Sequence, residues 1–134
     1  MKSDLTPSHV PFSNLRHDLF SSIVVFLVAL TSCEPREQEV HIAAQDFRFS
    51  PATIRLHADY PIRLTIINEG REPHEFASPL LADSRVQVFS APDSFLVSPG
   101  RSITVLFQAP PGTYPFRCRV RGHAGMEGTV IVEG

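Results

Sequence analysis

From Val40 to the C-terminus, apolar and polar side chains alternate in short runs, and each run is closed by proline, glycine or aspartate. A period of two places successive side chains on opposite faces of an extended chain. Such a segment folds as a half-buried strand and cannot present one apolar face as a helix. Val40-His41-Ile42-Ala43-Ala44 begins the first strand, and Thr53–His57 follows with Ile54 and Leu56 on one face. Pro61–Asn68 puts Ile62, Leu64 and Ile66 on one face, and Ser102–Gln108 does the same with Ile103, Val105 and Phe107. Thr113–Val120 and Gly128–Val132 are the last two runs. Ser50-Pro51, Ala58-Asp59-Tyr60-Pro61, Pro99-Gly100 and Pro110-Pro111-Gly112 mark turns. The 12 prolines of the 134 residues favour many strand boundaries over long helices. The pattern predicts an all-β domain, a two-sheet antiparallel Greek-key sandwich. Residues 77–98 carry no clear period and read as an irregular strand pair or one short helical turn.

The N-terminal third has a different character. Leu19–Leu30 is an uncharged apolar run, shorter than the ~20 residues needed to span a bilayer. Lys2, Arg16 and His17 precede it, as they would in an export signal, although Asp4 and Asp18 also lie there. Leu30-Thr31-Ser32-Cys33 follows and resembles a bacterial lipobox, which implies cleavage before Cys33 and lipidation of its thiol. The alternatives are an uncleaved anchor or a start codon placed too early. The expected organisation is a signal peptide over residues 1–32, a lipidated tether over 33–39 and a folded domain over 40–134. The expected location is the periplasmic side of a bacterial envelope membrane, with the chain held there by lipid. A disulfide between Cys33 and Cys118, the two cysteines, is disfavoured by their contexts. The net charge of -2 gives no general attraction to nucleic acid, and the chain is expected to be a monomer.

The chemistry is concentrated near the C-terminus, where Cys118, His123 and Met126 form C-x4-H-x2-M between two strands. Gly122 and Gly125 let the loop fold back so that thiol, imidazole and thioether converge. His74, at a strand-to-loop junction after Asn68-Glu69-Gly70, offers a further nitrogen. Each residue alone is ordinary, because a strand cysteine is commonly a small buried hydrophobe. Together they are the donor set of a type 1 (blue) copper site: two histidines and a cysteine in a plane, with a distant axial methionine. His41 and His57 lie within alternating strands and are read as strand-face residues.

These residues resemble the cupredoxin family, which includes plastocyanin and azurin, over roughly residues 40–133. Asp46-Phe47-Arg48-Phe49-Ser50-Pro51 is similar to the opening of bacterial members. Asn68-Glu69-Gly70 with His74-Glu75-Phe76, and Tyr114-Pro115-Phe116-Arg117-Cys118 with Gly122-His123, are similar to the two ligand-bearing segments. The resemblance implies one copper ion on His74, Cys118, His123 and Met126, with Asn68 bracing the site through hydrogen bonds near the Cys118 sulfur. The two-residue gap between His123 and Met126 is shorter than in many members.

The resemblance also implies an electron carrier rather than an enzyme. Multicopper oxidases flank the blue-copper cysteine with histidines, and here the neighbours are Arg117 and Arg119. No serine-histidine-aspartate pattern or phosphate loop is present. The alternative roles are copper delivery or storage, or an accessory module in iron or copper uptake. The expected partners are redox proteins. Arg117, Arg119 and Arg121 should face outward if Cys118 faces inward, with Arg71 at the same end, giving a positive rim for an acidic partner face.

Overall fold

The computed structural model describes residues 36–134. The apolar run, the lipobox-like segment and Cys33 lie outside the described residues. Ten strands form: β1 (Gln38–Gln45), β2 (Arg48–Ser50), β3 (Thr53–His57), β4 (Ile62–Asn68), β5 (His74–Ala77), β6 (Gln87–Ser90), β7 (Leu96–Val97), β8 (Ser102–Gln108), β9 (Gly112–Cys118) and β10 (Glu127–Glu133). One 3-10 turn, Pro79–Ala82, is the remaining regular element among the described residues. Among the described residues no helix is long and apolar enough to cross a membrane.

The strands make two five-stranded sheets, ordered β2-β1-β4-β8-β6 and β3-β10-β9-β5-β7. The chain changes sheet at every connection except β1–β2 and β9–β10. The expected sandwich is therefore present, and most pairs are antiparallel. Two pairs run parallel, β1 with β4 and β3 with β10. Their directions follow from these sheet changes, because strands joined through the opposite sheet need not reverse direction as hairpin neighbours do. β1 begins at Gln38, before the alternation becomes legible, because its backbone pairs with Ile62 and its side chain bonds to β3. Gln38 Nε2 donates to the His57 carbonyl at 2.7 Å, and the His57 N–H donates to Gln38 Oε1 at 2.8 Å.

The period of two becomes the core. Ile54 and Leu56 of β3, Ile62, Leu64 and Ile66 of β4, and Val105 and Phe107 of β8 point inward and are buried. Each side chain of this kind stabilises the fold by about 1.5–3 kcal/mol when fully buried. At one end, Phe49, Phe76 and Phe116 form an aromatic cluster. The Phe116 centroid lies 5.2 Å from Phe49 and 5.2 Å from Phe76. Tyr114 Oη closes the β8–β9 corner by donating to the Pro110 carbonyl at 2.9 Å.

Residues 77–98 contain the expected helical turn and two short strands that do not pair with each other. Pro79–Ala82 is the helical turn, β6 joins β8 in one sheet, and β7 joins β5 in the other. Only Leu80 and Val97 of this stretch are buried, so two isolated anchors fix it and no period can build up. β6 is exposed along its length and breaks register between Val88 and Ser90. Such an irregularity blunts an edge strand against pairing with another chain.

Candidate metal centre

β9 ends on Cys118 and β10 starts at Glu127, with Arg117 opposite Glu127. The loop between them is fixed by its own backbone. The Cys118 N–H donates to the Met126 carbonyl at 2.9 Å, and the Met126 N–H donates to the His123 carbonyl at 3.1 Å. Gly122 (φ 91°) and Gly125 (φ 85°) adopt the left-handed conformation, which glycine enters without steric cost. The folded-back loop turns His123 and Met126 inward, at 7% and 1% exposure, beside Cys118 at 8%.

His74 opens β5 and arrives beside Cys118 because β5 pairs with β9, Phe76 opposite Cys118. Its own register partner is Val97 of β7. Asn68 pins this corner from inside. Its Nδ2 donates to the Val97 carbonyl at 2.7 Å and to the Glu72 carbonyl at 2.8 Å, while its Oδ1 accepts from the Gly70 N–H at 2.9 Å. This corrects the expectation that Asn68 hydrogen-bonds near the sulfur. The donor facing Cys118 Sγ is the Glu75 N–H, at 3.4 Å. Asn68 acts one step away, by fixing the strands that carry His74 and Glu75.

Three donors converge. His74 Nδ1 lies 3.2 Å from His123 Nδ1 and 4.0 Å from Cys118 Sγ, and His123 Nδ1 lies 3.4 Å from Cys118 Sγ. Among the described residues these three form the metal-ligating cluster. A triangle with these sides has its equidistant point about 2.1 Å from each corner, the scale of metal bonds to imidazole nitrogen and thiolate. The donors therefore fit one small ion in a trigonal plane, and their softness suits copper. Burial holds the proton affinity of His74 below the usual imidazole range, and His123 adds to this, while Asp46 and Glu72 act in the opposite sense. A neutral imidazole is the form that binds metal. Met126 is buried in the same loop, with its backbone bonded to both Cys118 and His123.

His41 and His57 are exposed on β1 and β3, outside the donor cluster. Arg117, Arg119 and Arg121 are exposed, as the alternation around Cys118 requires, and Arg71 is exposed as well. Arg119 is shared with Glu75 at 3.8 Å, a partly solvated pair that contributes about 1 kcal/mol at most. One neighbour of the site lies outside the expected donor set. Phe47, in the β1–β2 turn, has φ 67° and is 62% exposed, and its ring meets His123 edge-on at 5.4 Å. A bulky residue in the left-handed region is not foreseeable from composition or period.

The family model for the cupredoxin-like domain matches residues 19–132. No curated protein matches the chain. Among solved structures, the chain is similar to auracyanin B, with 25% identity and a TM-score of 0.57, covering 78% of this chain and 94% of that one. It is also similar to auracyanin A, a "blue" copper protein of Chloroflexus aurantiacus, with 16% identity and a TM-score of 0.57, covering 73% of this chain and all (100%) of that one. A blue copper oxidase from Nitrosomonas europaea shares the fold at 21% identity and a TM-score of 0.56, covering 73% of this chain but 39% of the oxidase. The sandwich, the convergent histidine–cysteine–histidine donors and the family match agree: the chain belongs to the cupredoxin family.

Proposed function

We propose that this protein is a single-electron carrier built around one type 1 copper ion, held at a membrane by lipid on Cys33. The observation that carries the reading is the buried triangle of His74 Nδ1, His123 Nδ1 and Cys118 Sγ. Copper, when bound, supplies a one-electron couple. The protein supplies a donor set whose geometry is fixed before the metal arrives. Cys118 and His123 are locked by the loop bonds, and His74 by Asn68 and the β5–β7 pair. Donors that cannot move much give little reorganisation between oxidation states. Phe76 and Phe116 exclude water from the inner side of the site. His123, met edge-on by Phe47, is less deeply buried than His74.

Transfer to and from partner proteins is favoured over an oxidase activity by Arg117 and Arg119, which occupy the positions beside Cys118 where multicopper oxidases place histidines. Burial of the three donors also disfavours ready release of the ion to a receiving protein.

The test is the optical and EPR spectrum of the copper-loaded protein. An intense blue thiolate-to-copper band with narrow copper hyperfine splitting is expected. A colourless complex with an ordinary tetragonal signal overturns the reading. Met126→Leu should keep the colour and raise the reduction potential, since an axial sulfur mainly stabilises Cu(II). An unchanged potential would transfer the axial role to Glu127 or a backbone carbonyl. The lipid anchor is tested by mass spectrometry of the mature N-terminus, where an unmodified Cys33 thiol rejects it.

A further inference from the structure

His74 has a second nitrogen, and its surroundings are unusual. Nδ1 faces Cys118 and His123, so the ring proton of a metal-binding His74 sits on Nε2. Nε2 is buried, and among the described residues it is the one buried side-chain nitrogen or oxygen without a hydrogen-bond partner. Leaving such a donor unpaired costs about 1–3 kcal/mol. A charged acceptor lies close by. A Cβ placed on Gly70 would stand 2.4 Å from Asp46 Oδ1 and 2.9 Å from His74 Nε2. The carboxylate oxygen and the ring nitrogen thus border the same space beside the bare Cα of Gly70.

We infer that Asp46 accepts the His74 Nε2–H and is a positioning residue for this ligand, and that Gly70 is needed because any side chain there would fill the gap. The inference rests on the copper reading above. Asp46 is already oriented for the role, since its Oδ1 accepts from the Arg71 N–H at 2.8 Å. A carboxylate offers about four acceptor positions over its two oxygens, so capacity remains for the imidazole. The same turn serves both histidines: Asp46 approaches His74, and Phe47, at φ 67°, lies against His123. The left-handed residue therefore has a function in the architecture, because it sets two adjacent side chains toward two different ligands.

A carboxylate hydrogen-bonded to a ligating histidine fixes the ring and raises its basicity. Greater basicity favours the more highly charged metal ion. Asp46 thus stabilises Cu(II) relative to Cu(I) and holds the potential down.

The experiment uses the full chain with Asp46→Asn and Asp46→Ala. Voltammetry of the copper-loaded forms gives the potential, and NMR of the Cu(I) and metal-free forms gives the exchange rate of the His74 Nε2 proton. In the wild type this proton should exchange slowly. Asp46→Asn retains an acceptor and the Arg71 contact but loses the charge. It should keep exchange slow and weaken Cu(II) relative to Cu(I) by about tenfold, at the low end of the 10–100-fold range for such outer partners and about 59 mV upward for one electron. Asp46→Ala should raise the potential at least as far and also speed the exchange. Asp46→Ala with both wild-type potential and wild-type exchange overturns the inference. If the wild type binds copper without a blue band, the copper reading fails on its own. The exchange rate in the metal-free forms then decides the Asp46 contact separately: faster exchange in Asp46→Ala supports it, and equal exchange rejects it.

Discussion

Cys118→Ser is expected to abolish the blue absorption while leaving the sandwich folded. The colour of such a site arises from electron transfer out of a thiolate, and a serine oxygen is a harder donor that remains protonated at neutral pH. Geometry works in the same direction. Sγ stands 3.4 Å from His123 Nδ1 and 4.0 Å from His74 Nδ1, so the site is sized for a long bond on the sulfur side. An oxygen on the same Cβ, with its shorter bonds, cannot fill that corner of the triangle without moving β9. The fold should tolerate the change because the contacts that shape the loop belong to the backbone. The Cys118 N–H still donates to Met126, and the Glu75 N–H can donate to the new hydroxyl. The expected loss in metal-free stability is about 1 kcal/mol, the scale of one altered hydrogen bond in a buried place. Absorption of the copper-loaded variant and thermal unfolding of its metal-free form check the two halves. A variant that stayed blue would remove Cys118 from the metal and leave the donor triangle without a function.

How far the sequence could be read depends on the range over which each feature is determined. β4 and β8 are legible because each is a strict alternation with one face in the core: Ile62, Leu64 and Ile66, then Val105 and Phe107. The donor set is legible because Cys118, His123 and Met126 lie in one short loop, with Gly122 and Gly125 announcing its reversal. β2 and β5 are three and four residues long, too short for a period to stand out. β7 is shorter still, and only its pairing to His74 and Glu75 defines it. Asn68 braces the site from further away than the resemblance implies. Its partners, the Val97 and Glu72 carbonyls and the Gly70 N–H, become neighbours only when two strands and a loop have met. The placement of Asp46 Oδ1 and His74 Nε2 beside Gly70 has the same origin, since it brings together residues of β5 and two turns that no linear spacing connects.

Phe116→Ala should produce the largest loss of stability of any single change in the domain. Phe116 is 1% exposed and packs between Phe49, edge-on at 5.2 Å, and Phe76, tilted at 5.2 Å. Truncating a buried phenylalanine costs about 3–5 kcal/mol, through lost transfer energy and the cavity left behind. Against a whole-domain stability of about 5–15 kcal/mol, the variant should melt far earlier and bind metal poorly, because Cys118 lies two residues along the same strand. Gly128 faces this ring across the β9–β10 pair. A Cβ there would lie 2.3 Å from Phe116 Cζ and 2.5 Å from the Ala52 carbonyl oxygen, which already accepts from the Thr129 N–H at 2.7 Å. Gly128→Ala should therefore cost about 1–3 kcal/mol through overpacking. With the ring removed, half of that collision disappears and the Ala52 half remains. The double variant should be more stable than the sum of the single losses predicts, by about 0.5–3 kcal/mol, the range for residues in contact. Denaturant unfolding of the four proteins measures the difference. Strict additivity would mean that the Ala52 carbonyl, which belongs to the β2–β3 connection, excludes the side chain at position 128 and that the aromatic ring does not.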